Sequence, residues 1–289
     1  MKKIIAAAVA TAFVAPAFAA DVSLTGDQAV MYVNGDSATT MITNGDFNVK
    51  ASAETANGWS VSADLNIGCG AGCADGSGST IYSEGGNSLT VSGPFGKVDL
   101  GDASGAVDAL DDTTDWGYYA TQGSSGNDAS ILWTLPSFAE GLTVNVSHTA
   151  DDNSIDSATA SDGWSFTYKN SGFLVGYGAN EYEAGEEEKI VKATYGMAGA
   201  NILYEQHTDT TNGGVDTDTT SLGLTYTTGD ITLAYEGQKI ESAGSTDNDT
   251  TAVGIHYSMG GGVTSFVESL SDSEDPDADA TVVGIHLAF

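Results

Sequence analysis

Trp59-Ser60-Val61-Ser62-Ala63-Asp64-Leu65-Asn66-Ile67 places every apolar side chain at an odd position and every polar one at an even position. Successive side chains of a β-strand point to opposite faces, so this stretch reads as a strand with one apolar and one polar face. The same dyad recurs in Leu142, Val144 and Val146 against Thr143, Asn145 and Ser147. It returns in Trp164, Phe166 and Tyr168 against Ser165, Thr167 and Lys169, and closes the chain at Val283, Ile285, Leu287 and Phe289. Period two alone does not say which face is inward. A soluble sandwich buries its apolar face, whereas a membrane barrel turns that face to lipid and lines a lumen with the polar one.

The connections between these segments favour the barrel. Short ones fall at Ala56 to Gly58, Gly93 to Gly96, Pro136 to Gly141, Asn170 to Gly172, Gly196 to Gly199, Thr228 to Asp230 and Met259 to Gly262. Long ones fall near 34–41, 68–86, 103–128, 150–161, 181–187, 209–217, 241–248 and 271–279. Seven short and eight long connections join sixteen strands. An even number of antiparallel strands, with tight turns at one rim and loops at the other, is the layout of a membrane barrel. A strand plus its connection averages about 17 residues, enough for the ~10 that a tilted spanning strand needs. Acids concentrate at the long loops: Asp151, Asp152 and Asp156; Glu181, Glu183, Glu186, Glu187 and Glu188; Asp272, Glu274, Asp275, Asp277 and Asp279. The apolar face is almost free of charge, as hydrocarbon demands. Thr251-Ala-Val-Gly-Ile-His-Tyr-Ser-Met and Thr281-Val-Val-Gly-Ile-His-Leu-Ala-Phe repeat one hairpin apart, which keeps the same face outward in both.

Upstream of the strands, Met1-Lys2-Lys3 is a short basic region, Ile4 to Val14 is apolar and Ala-rich, and Pro16 precedes Ala17-Phe18-Ala19. This is the pattern of a secretory signal peptide over residues 1–19, cleaved after Ala19 or Ala20, leaving 20–289 as the barrel domain. The apolar run is too short for a spanning helix. Beyond it the chain carries six lysines and no arginine against 40 acidic residues. That balance excludes a nucleic-acid binder, which neutralises phosphates with Lys and Arg, and a basic patch docking on anionic lipid. The 37 glycines and only 4 prolines suit many tight turns between strands. Cys69 and Cys73 are expected to form a local disulfide that pins the second long loop of an exported protein.

Three segments resemble the general Gram-negative porin family, in particular its alphaproteobacterial type. Gly93-Pro-Phe-Gly-Lys-Val-Asp-Leu-Gly-Asp102 is similar to the family's turn and fifth strand. Ile131-Leu-Trp-Thr-Leu-Pro-Ser-Phe-Ala-Glu-Gly-Leu142 is similar to its sixth strand and following turn. Phe289 matches the terminal position read by the barrel assembly machinery. The resemblance implies an all-β, 16-stranded antiparallel transmembrane barrel with an inward-folded third loop, here 103–128. It further implies a water-filled homotrimer in the outer membrane, embedded among lipid and lipopolysaccharide. On the matching stretch, Asp102, Asp108, Asp111, Asp112 and Asp115 supply the acidic constriction loop. The family's opposing arginine cluster is missing. Strand phase puts Lys50, Lys97, Lys169 and Lys192 on the lumen side, with Lys50 the foremost candidate for a basic wall.

A pore needs a diameter and a field rather than a catalytic constellation. Acidic side chains around a low-dielectric bore favour cations, so a cation-preferring path for ions and small polar solutes is expected. Acidic runs such as 209–218 and 272–279 offer oxygen ligands for loosely bound calcium or magnesium, with no EF-hand spacing and no assignable metal residues. The sequence shows no Gly-x-Ser-x-Gly, paired-histidine or dinucleotide motif, so no catalytic residue or required cofactor is assigned. His207, His256 and His286 fall in lumen phase, where they are expected as solvated wall residues, while His148 does not. The alternative reading is a structural or adhesive surface barrel with calcium-binding loops and an occluded lumen.

Overall fold

In the computed structural model the described residues are 21–35, 39–69, 88–110, 117–118, 128–150, 160–275 and 279–289. They form sixteen strands in one sheet: β1 (Asp21–Gly35), β2 (Thr39–Glu54), β3 (Ser60–Cys69), β4 (Ser88–Gly93), β5 (Gly96–Ser104), β6 (Asp128–Thr134), β7 (Leu142–Thr149) and β8 (Ser161–Asn170). The second half continues with β9 (Phe173–Tyr182), β10 (Glu187–Met197), β11 (Ala200–Thr210), β12 (Asp216–Thr228), β13 (Ile231–Ser242), β14 (Asn248–Gly260), β15 (Val263–Asp272) and β16 (Ala280–Ala288). Each strand pairs antiparallel with its sequence neighbours, and β1 pairs with β16 from Asp27↔Ala288 to Gly35↔Ala280, closing the barrel. At the seam Gly26 and Phe289 exchange both backbone hydrogen bonds at 2.9 Å. Closure leaves no unpaired strand edge, the condition for putting a sheet in lipid.

The dyad seen in the sequence sorts side chains between outside and bore. On β14, Thr250, Ala252, Gly254 and His256 are buried, while Val253, Ile255 and Tyr257 between them are exposed. The exposed band continues around the barrel through Trp133, Val146, Trp164, Phe166, Tyr195, Ile202, Leu224, Leu233 and Ile285. Exposed apolar side chains over a whole circumference identify the outer face as the lipid face. A barrel of this strand count encloses a bore wide enough for water.

Two short turns show why that rim is tight. Ser171 (φ 49°) and Gly172 (φ 83°) join β8 to β9, and Ala198 (φ 48°) and Gly199 (φ 85°) join β10 to β11. Two successive left-handed residues form the hairpin turn whose twist matches that of the flanking strands.

The opposite rim differs from expectation in its loop lengths. Strands extend into both ends of 34–41, 181–187, 209–217 and 241–248, leaving residues 36–38, 183–186, 211–215 and 243–247 between them. Their charges suggest loop, but beyond the hydrocarbon a paired strand carries polar side chains on both faces. Thr208 Oγ1 donates to Asp218 at 2.6 Å and Thr210 Oγ1 to Asp216 at 2.9 Å across such a ladder.

Candidate functional site: the bore and its inner loop

The chain leaves the wall at a bulge between Leu100 and Ala103, where Gly101 takes φ 95°. A bulge re-aims the strand, and residues 105–110 turn into the bore. The Ala106 amide donates to Ser147 Oγ on β7 at 2.9 Å. Gly163 on β8 makes room for this contact, since a Cβ there would stand 2.6 Å from Ser147 Oγ and 3.6 Å from Ala106 Cβ. Further along, Val107 and Leu110 pack with Ile190 of β10 in a buried apolar cluster, and Leu110 Cδ1 occupies the space over Gly176 of β9. The buried ammonium of Lys192 donates to the Leu110 carbonyl at 2.7 Å.

Tyr118 holds the same loop to a second arc of the wall. Its amide donates to Glu268 Oε1 at 2.8 Å. Its ring stacks on His286 at 4.3 Å and His256 at 5.3 Å, and packs against Phe266 at 4.6 Å between centroids. Beneath it lies an apolar patch of Ala29, Met31, Val33, Phe266, Ala280 and Val282 across β15, β16 and β1. The loop therefore reaches from the β7–β10 wall to the β14–β1 wall.

Among the described residues the lumen face carries four buried glutamates: Glu188, Glu205, Glu236 and Glu268, on β10, β11, β13 and β15. His207 Nε2 lies 2.8 Å from Glu188 Oε1, and His256 Nε2 lies 2.9 Å from Glu268 Oε1. Lys192 stands directly across from Glu205 in the β10–β11 register. A closed barrel with an apolar exterior, an inserted loop and an ionisable inner wall is thus established, and residues 6–275 match the profile of the Gram-negative porin family. The chain belongs to that family.

Solved porins share its fold. An anion-selective porin from Comamonas acidovorans superimposes with a TM-score of 0.72 at 17% identity, covering 93% of this chain and 100% of that one. A loop L8 deletion mutant of OmpT, an outer membrane protein of Vibrio cholerae, gives 0.74 at 15% identity, covering 94% and 100%. A triple mutant of the Rhodopseudomonas blastica porin gives 0.72 at 19%, covering 93% and 100%. No curated protein sequence matches the chain. The porin is an outer-membrane channel protein, not an enzyme.

The residues singled out from the sequence are dispersed over the porin. Asp102 is half-buried in the β5 bulge and Asp108 half-buried in the turn that enters the bore. Asp111, Asp112 and Asp115 lie outside the described residues, as does Cys73, the proposed partner of Cys69. Lys50 pairs with Asp64 on β3 at 3.2 Å. Lys97 pairs with Asp99 at 2.7 Å beside the β4–β5 turn, and Lys169 adjoins the β8–β9 turn. Strand phase gives the face of these two lysines but not their height, and the structure sets both at the short-turn mouth. Lys192 binds the loop backbone instead of facing the loop as an open charge. His207, His256 and His286 are not solvated wall residues: the first two are buried, and His286 stacks under Tyr118 and stands 3.0 Å from Asp27 Oδ2. Glu188, read as a rim acid, is a buried lumen side chain of β10. Glu205, Glu236 and Glu268 were not singled out, although each follows a lipid-phase Tyr204, Tyr235 or Val267. Tyr118 gave no local cue at all.

Proposed function

We propose that the porin is a water-filled, cation-preferring path for passive diffusion of ions and small polar solutes. The observation that carries this reading is the run of Glu188, Glu205, Glu236 and Glu268 over the inner wall. Fixed carboxylates behind a low-dielectric wall focus a negative potential into the bore. The lysine nearest them, Lys192, is committed to the Leu110 carbonyl, and Lys50 and Lys97 are each paired with an aspartate. The test is the reversal potential across a planar bilayer in a KCl gradient. Cation-side potentials that move toward zero in Glu236→Gln and Glu205→Gln are the expected result; anion-side potentials overturn the reading.

The same reading takes the porin as a homotrimer exported by cleavage after Ala19 or Ala20. Phe289 serves the barrel assembly machinery, lipopolysaccharide surrounds the long-loop rim, and the loop acids hold calcium or magnesium loosely. What supports these points is the motif likeness at 93–102, 131–142 and Phe289, together with the oxygen-only chemistry of the loops.

A further inference from the structure

Above the Lys192 latch, toward the long-loop mouth, two neighbouring strands bring a nitrogen and two carboxylates onto one patch of the bore wall. Glu188 on β10 is the direct register partner of Asp209 on β11, and His207 lies two residues before Asp209 on the same face. One ligand atom from each of the three lies within 4.8 Å of the others. His207 Nε2 stands 2.8 Å from Glu188 Oε1 and 3.8 Å from Asp209 Oδ1. An ion bonded at about 2.1 Å to each of two ligands holds them about 3–4 Å apart, so small side-chain rotations close the set.

A second observation points at the same place. Asn180 on β9 is the register partner of Glu188, is 5% exposed, and has its Nδ2 3.4 Å from Glu188 Oε2. Its Oδ1 accepts no hydrogen bond among the described residues. Its Nδ2 helps hold Oε2, the carboxylate oxygen turned away from His207. Tyr182 Oη donates to Glu188 Oε2 at 3.2 Å. It fixes the far oxygen and leaves Oε1 directed at His207, as outer-sphere partners of a metal ligand do.

We propose that Glu188, His207 and Asp209 bind one divalent transition-metal ion on the lumen wall. One imidazole with two carboxylates suits zinc, manganese or iron(II), whereas calcium takes oxygen ligands alone. The Asp209 side chain is 46% exposed, so the site opens to lumen water through that residue and keeps exchangeable positions on the ion. Glu188 precedes Lys192 by four residues, which sets the site about 13 Å along the strand from the point where the loop is latched. The ion is held in the outer vestibule, ahead of the inserted loop.

The test uses full-length, tag-free porin in detergent, titrated calorimetrically with zinc chloride in excess calcium, which occupies the loop carboxylates. One zinc per chain is expected, with X-ray absorption showing a single imidazole among oxygen ligands. His207→Gln and Asp209→Asn are each expected to weaken binding by more than the roughly 10- to 100-fold that loss of an outer-sphere partner costs. Asp209→Asn keeps the test decisive if the buried histidine variant fails to fold, because its side chain is half in water. Absence of calcium-resistant zinc binding, or equal binding in wild type and Asp209→Asn, overturns the proposal.

Discussion

Replacing Lys192 with methionine should release the inner loop from the β10 wall without emptying the space the lysine stem fills. Lys192 Nζ donates to the Leu110 carbonyl at 2.7 Å from a buried position. A hydrogen bond from a charged donor contributes about 1.5–3 kcal/mol. At about 1.4 kcal/mol per factor of ten, the opening equilibrium of residues 105–110 should rise about 10- to 100-fold. The reporters are the amides of Ala109 and Leu110, which donate to Gly105 at 2.8 Å and Val107 at 2.9 Å only while the turn is formed. Hydrogen exchange of the detergent-solubilised protein reads that opening directly. The lysine also faces Glu205 across the ladder, so the double variant Lys192→Met/Glu205→Gln separates loss of the latch from a carboxylate left without its opposite charge. If both amides exchange at wild-type rates in Lys192→Met while the barrel remains folded, Lys192 is not the latch.

Gly284→Ala should strain the second anchor, because a Cβ at residue 284 would stand 2.8 Å from Phe266 Cε1 and 2.9 Å from its Cε2. Overpacking of this kind costs about 1–3 kcal/mol, read as a lower urea midpoint, and an unchanged midpoint would contradict the close packing under Tyr118. Phe289→Ala removes an edge-on contact with Phe47 at 5.7 Å beside the seam. Loss of such a pair costs about 0.5–1.5 kcal/mol and should slow insertion into lipid vesicles, followed by gel mobility of the folded form. Wild-type insertion kinetics would show that the Phe47–Phe289 contact plays no part in spontaneous insertion.

Which face each side chain takes was legible because it follows from strand geometry alone: Trp59, Val61 and Leu65 alternate with Ser60, Ser62 and Asp64 whatever the rest of the chain does. The strand count was legible for a related reason, since glycine-bearing turns such as Ser171-Gly172 mark one rim locally. Loop lengths were less so, because Asp216, Asp218 and Glu241 read as loop by charge yet lie in strands that project past the lipid. Height along the barrel was not legible. Lys97, Lys169 and Lys192 share lumen phase, and only the folded register separates two mouth residues from one beneath the loop. The glutamates of the inner wall were available from phase and were obscured by the greater number of rim acids. Tyr118 was beyond reach, because its partners come from strands far downstream and nothing beside it marks the contact.

The hydrogen bond from the Tyr118 amide to Glu268 spans 150 residues. Its surroundings draw on β15, β16 and β1, the strands on either side of the closing seam. A contact of such sequence separation cannot form until the chain between has been placed, so it belongs to the slow, non-local part of folding. The apolar patch under Tyr118 does not exist until β15 and β16 have been placed beside β1. Seating of Tyr118 therefore waits for the strands on either side of the seam.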